Sequence, residues 1–105
     1  MMFIEVPDRN DSISSLSIDG REYLLRFTYN ETYDYWSFGL YGPEGRPIVA
    51  MTKLVPNFPV FHFYRDVEIP DGVFGCLSDT GQVGRRAFVD KTAEFVYIPR
   101  RELEG

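Results

Sequence analysis

The residues of this chain that could do chemistry are few, and the first is its single histidine, His62. Histidine is the side chain most often used as a general base and as a metal ligand near neutral pH. His62 stands between two phenylalanines, without a second histidine or a nearby cysteine to share a metal. The serines Ser14, Ser15, Ser37 and Ser78 lie on strand and turn segments that lack a nucleophile elbow. We therefore predict that His62 packs against neighbours or faces solvent, and that the chain is not an enzyme.

Three further groups of residues resemble known kinds of site. Asp66, Glu68 and Asp71 offer oxygen ligands but lack the positions and terminal glutamate of a calcium loop, which favours a solvated loop. Segment 81–85 contains two glycines but no following Lys-Ser/Thr and no clear helix, so a turn is favoured over a phosphate loop. Cys76 lies in an apolar run and is predicted to be a small buried residue. No metal, cofactor or small-molecule substrate is therefore predicted.

Size and composition bound the remaining function classes. The 105 residues suffice for one β domain (1–105) with its own core, and residues 100–105 are expected to form a frayed polar tail. The net charge of −5 argues against nucleic-acid binding, and Arg85-Arg86 and Arg100-Arg101 are interpreted as ordinary solvated charges. No secretory signal and no apolar run of about 20 residues is present, so we expect a soluble protein made in the cytoplasm without membrane contact.

Short strands separated by turns account for most of the chain, and residues 12–53 predict a four-strand meander. Asp19-Gly20 is typical of a type I′ turn, which sets Ile18 opposite Arg21 and Leu16 opposite Tyr23. The alternation of side chains directs one set of large residues inward as core anchors: Tyr23, Leu25, Phe27, Trp36, Phe38 and Leu40. Ile13 falls on the opposite face, which indicates either that this face is partly covered or that a bulge shifts the phase.

The remaining segments complete an all-β pattern. Residues 2–5 predict an edge strand, 73–77 and 93–98 predict further strands, and the best helix candidates are short ones near 61–65 or 85–90. About seven short strands predict a small antiparallel β-barrel or sandwich. Closure into a barrel would remove the free strand edges of so short a sheet and so protect them from pairing with other chains.

The irregular segment Leu54–Tyr64 is the candidate for binding a partner. Two prolines prevent a regular central strand, and several aromatic rings crowd around them. Two interpretations stay open: the rings cap the end of a barrel, or they form a rigid surface that loses little entropy when a partner covers it. The candidate contact residues are Val55, Pro56, Phe58, Pro59, Phe61, Phe63 and Tyr64.

Several landmarks occur in a fixed order along residues 2–99. They are an apolar start ending near Pro7, Ser-Ile-Asp-Gly-Arg-Glu-Tyr at 17–23, Leu25-Arg26-Phe27, Asn30-Glu31, Tyr35-Trp36 with Leu40-Tyr41, Gly45 with Pro47-Ile48-Val49, Leu54-Val55-Pro56 and Val96-Tyr97-Ile98-Pro99. In their order and spacing the chain resembles the small baseplate plug proteins of contractile-tailed bacteriophages. It departs from that pattern at 61–64 and 85–92, so partner contacts there do not carry over.

The resemblance implies a structural subunit of the virion tail baseplate, made in the bacterial host. Such a subunit would pack at the central hub and tube region, in several symmetric copies, against hub, spike and tube-initiating proteins. It carries no catalytic residues to transfer. Two other classes remain open: a small β-barrel adaptor module that binds proteins, and a small enzyme or ligand carrier with a polar pocket near His62 or Asp66.

Overall fold

Two antiparallel β-sheets make up the structure, a computed structural model that describes residues 1–57, 59–60 and 70–103. One sheet has the order β2-β3-β4-β5 and the other the order β1-β8-β7-β6. The strands are β1 (Met2–Ile4), β2 (Asp11–Ile18), β3 (Arg21–Asn30), β4 (Tyr35–Tyr41), β5 (Pro47–Lys53), β6 (Pro59–Val60), β7 (Gly72–Ser78) and β8 (Ala93–Pro99). The sheets do not close into a barrel, so of the two predicted architectures the sandwich is the one that the chain adopts.

The β2–β3 hairpin has the predicted turn and register. Asp19 and Gly20 have φ of 52° and 80°, the positive values that a type I′ turn requires. Pairing then runs without a shift from Ile18 opposite Arg21 to Asp11 opposite Thr28. The explanation of the outward Ile13 by a bulge is therefore wrong.

The second half of the meander is less regular. Gly45 has φ of 89° in the turn between β4 and β5, where the Gly42 N–H donates to the Arg46 carbonyl at 2.8 Å. The β4–β5 register shifts on either side of Leu40. Such irregularities bend a strand and make its edge a poorer template for another strand.

Aromatic rings from both sheets form the core. Phe27 and Phe38 of the first sheet lie 5.0 Å and 4.8 Å from the Phe95 ring of the second, measured between ring centroids. Phe74 lies 5.1 Å from Phe38 and 5.0 Å from Tyr97. These edge-on and tilted contacts are the favoured geometries for aromatic pairs, so the core is what joins the two sheets.

Two short helices accompany the sheets. They are α1 (Ala87–Asp90), within the predicted range 85–90, and α2 (Arg100–Leu103). Neither is long or apolar enough to cross a membrane, and the described residues contain no other helix. Residues 100–103, which were expected to fray, are helical: Arg100 pairs with Asp71 at 2.9 Å, and the N-terminal ammonium pairs with Glu102.

Candidate partner-binding surface

The segment that leaves β5 is fixed at both ends by hydrogen bonds. The Leu54 N–H donates to the Trp36 carbonyl at 2.8 Å, and the Leu54 side chain is buried. Asn57 has a left-handed φ of 65°, and its N–H donates to the Cys76 carbonyl at 2.7 Å. The Asn57 side-chain oxygen accepts the Ser78 N–H at 3.2 Å. Residues 54–57 are thus held against β4 and β7 before any partner binds.

Between these two anchors the chain presents apolar surface. Val55 is 46% exposed and Pro56 is half-buried. β6 follows as a two-residue strand in which Pro59 pairs with Gly75 of β7. β6 is the outermost strand in its sheet order, the position at which a proline costs no ladder hydrogen bond. The candidate contact residues Phe58, Phe61, Phe63 and Tyr64 lie outside the described residues.

The residues chosen as core anchors are all buried. Tyr23, Leu25, Phe27, Trp36, Phe38 and Leu40 belong to a single cluster that also contains Phe74 and Phe95. Trp36 additionally donates its indole N–H to the Gly84 carbonyl at 3.0 Å. These side chains hold the sandwich together and leave partner contact to other residues.

The structure describes only some of the residues considered for catalysis or metal binding. His62, Asp66 and Glu68 lie outside the described residues, while Asp71 is exposed and bound to Arg100. Cys76 is buried, and burial raises the pKa of its thiol to about 12. In the ranges 1–57 and 70–103, no group of three histidine, cysteine or acidic residues is arranged to hold a metal ion.

The glycine-containing segment 81–85 forms a turn, and hydrogen bonds connect it to neighbouring parts of the chain. Gly81 has φ of 76°, and the Ser78 hydroxyl donates to the Gln82 carbonyl at 2.6 Å. Arg85 donates to an Asp8 carboxylate oxygen at 2.8 Å, and its guanidinium lies 5.6 Å from the centre of the Trp36 ring. The Arg85 hydrogen bond is the main reason that the pKa of Asp8 is lowered. Arg85 therefore has a structural role at the start of α1.

Exposed apolar side chains also occur outside the predicted contact segment Leu54–Tyr64. Phe3 on β1 and Ile13 on β2 both point outward, and Tyr33 lies exposed in the turn before β4. A groove of about 470 Å³ lies between β1 and α1, with Phe3 and Val89 among its lining residues. For Ile13 the signal was the period-two alternation, which already put it on the face away from the core. Phe3 was assigned only to the predicted edge strand 2–5, and no face was predicted for it.

Comparison with known proteins identifies the family. A model of the family described as cyanophage baseplate Pam3 plug gp18 matches residues 1–100, nearly the whole chain. The chain belongs to this plug family. A search of curated proteins found no match. Membership in the plug family gives the chain a structural role in a phage tail baseplate, among other baseplate proteins.

Proposed function

We propose that this plug-family protein packs at the centre of the baseplate, between hub, spike and tube-initiating proteins, in several symmetric copies. We further propose that it acts without catalysis and is made in the cytoplasm of the bacterial host. The observation that carries the proposal is the family match over residues 1–100.

The proposed contact surface is the segment Leu54–Tyr64. Its first part is already ordered by the hydrogen bonds of Leu54 and Asn57, so Val55 would lose little conformational entropy when a partner covers it. Prolines at 56 and 59 restrict the backbone further. A constrained apolar segment of this kind is a suitable centre for an interface, where a few well-packed side chains carry most of the binding energy.

The test compares variants of this segment in purified tails. Val55→Asp, Phe58→Ala and Phe61→Ala should each prevent incorporation into baseplates, because truncating or charging a central apolar contact typically costs more than about 2 kcal/mol of binding. Tyr33→Ala truncates an exposed aromatic side chain outside this segment and serves as the control. Mass spectrometry of tail particles measures incorporation, and thermal melting of the purified variants measures folding.

The outcomes separate the two interpretations of the segment. Variants at Phe58 and Phe61 that melt far below the wild type would assign these rings to the core and move the interface elsewhere. Variants that fold and assemble normally would exclude the segment as a contact. A wild-type protein that is folded, monomeric and absent from tails would favour the adaptor module instead.

A further inference from the structure

The sheet edges of this protein differ in how well they are protected against pairing with another chain. Within the described part of the chain, β1 and β6 are edges of only three and two residues. β5 begins at a proline, ends at Lys53 and has register shifts against β4. β2 is an edge of eight residues, Asp-Ser-Ile-Ser-Ser-Leu-Ser-Ile, with no proline, glycine or lysine and no bulge. It lacks the devices that normally prevent edge-to-edge pairing.

The backbone groups at the free edge of β2 follow from its turn. A two-residue type I′ turn makes Ile18 and Arg21 a hydrogen-bonded pair, so the even-numbered residues of β2 bond to β3. The Tyr29 N–H donates to the Asn10 carbonyl at 2.7 Å, which continues the same alternation beyond the strand. The N–H and C=O groups of Ile13, Ser15 and Ser17 therefore point away from β3, where no backbone hydrogen bond between described residues engages them.

The side chains along this edge do not repel a second strand. Ile13 is 66% exposed, and Ser15 and Ser17 are small, neutral and exposed. The one ionised residue of the strand, Asp11, receives two hydrogen bonds from Arg26, at 3.0 Å and 2.7 Å. The outward face of β2 is thus uncharged apart from a compensated ion pair.

We propose that β2 pairs antiparallel with β2 of a second copy of the protein, about a two-fold axis at Ser14. This register matches the strand along its length and sets Ile13 opposite Ser15 of the second copy and Asp11 opposite its Ser17. No like charges face each other, and the two Ile13 side chains become diagonal neighbours on one face. A two-fold axis duplicates each of these contacts, so the strand complements itself and joins two four-stranded sheets into one.

The contact is small, so the dimer should be weak and depend on concentration. Sedimentation equilibrium of the full chain over a concentration series should show reversible dimerisation. Ser15→Pro removes an N–H that points to the free edge while keeping every β2–β3 hydrogen bond, and should weaken dimerisation at least about tenfold with little change in melting temperature. Ser15→Lys is a second variant that adds a repelling charge, and Tyr33→Ala is the control that should dimerise normally.

Cysteine cross-linking tests the register. Ser14 faces its own counterpart as a non-hydrogen-bonded pair, with Cα atoms about 4.5 Å apart, which is within disulfide range. Under mild oxidation Ser14→Cys should form a disulfide-linked dimer, whereas Ser17→Cys, opposite Asp11 of the second copy, should not. A monomer at all concentrations, dimerisation that tolerates both Ser15 variants, or equal cross-linking at positions 14 and 17 would overturn the proposal. Because this test uses the isolated protein, it is independent of the proposed baseplate contact at Leu54–Tyr64.

Discussion

Replacing Trp36 with alanine would remove the side chain that joins β4 to the loop before α1. Trp36 is 1% exposed, and its indole N–H donates to the Gly84 carbonyl at 3.0 Å. Its ring lies 5.5 Å from the Phe88 ring and 5.3 Å from the Tyr29 ring. The substitution would therefore leave a cavity lined by aromatic rings and a carbonyl without its donor.

The expected cost follows from these contacts. Truncating a buried tryptophan to alanine typically lowers the free energy of unfolding by about 3–5 kcal/mol. This is a large share of the roughly 5–15 kcal/mol that stabilises a domain, and it corresponds to a fall in melting temperature of more than about 10 °C. Trp36→Phe keeps a ring but loses the N–H donor, so it should cost about 1–3 kcal/mol.

Urea unfolding followed by far-UV circular dichroism measures both variants against the wild type. Tyr33→Ala, which truncates a ring that is 76% exposed, is the control and should stay within about 0.5 kcal/mol. The wild-type tryptophan emission should be shifted to the blue, as for a buried indole. A loss below about 1 kcal/mol in Trp36→Ala, or emission at the wavelength of tryptophan in water, would refute this placement of the ring.

Two further predictions concern pH and glycine. Burial raises the pKa of the Cys76 thiol from 9.0 to about 12. As the pH rises, the thiol therefore ionises in the unfolded chain before it ionises in the folded protein. The contribution of Cys76 to the free energy of unfolding is lost between these two pKa values. The slope of unfolding free energy against pH in urea titrations should therefore be shallower in Cys76→Ala, and equal slopes would exclude the effect. A Cβ on Gly72 would lie 2.4 Å from the Ile98 carbonyl oxygen, whereas one on Gly39 would meet the flexible Met51 sulfur at 2.5 Å. Gly72→Ala should accordingly lower the free energy of unfolding by about 1–3 kcal/mol, and by more than Gly39→Ala does. Thermal melting of the two variants measures this order, and a lower melting temperature for Gly39→Ala would contradict it.

The local part of the fold was predictable because turn chemistry and alternation act over neighbouring residues. Asp19-Gly20 needs positive φ at both positions, and that requirement alone set the β2–β3 register. The same alternation placed Trp36, Phe38 and Leu40 on one face of β4, and all three are buried.

Contacts between residues far apart in the chain could not be predicted from local sequence patterns. Whether two sheets close into a barrel depends on pairing between edges far apart in sequence, for which the chain carries no short-range signal. The hydrogen bond from Trp36 to Gly84 joins backbone and side chain 48 residues apart. The contact of Arg100 with Asp71 likewise exists only after β7 and β8 have paired, which is why the tail was expected to fray.

Site-specific photo-cross-linking from position 55 in purified baseplates tests the central claim most directly. A photoreactive amino acid in place of Val55 lies on the exposed part of the anchored segment, and the same probe at Tyr33 is the control. We expect the probe at position 55 to cross-link to another baseplate protein, identified by mass spectrometry, at a yield well above that from position 33. Absence of the protein from baseplates, or equal yields from the two positions, would contradict the account.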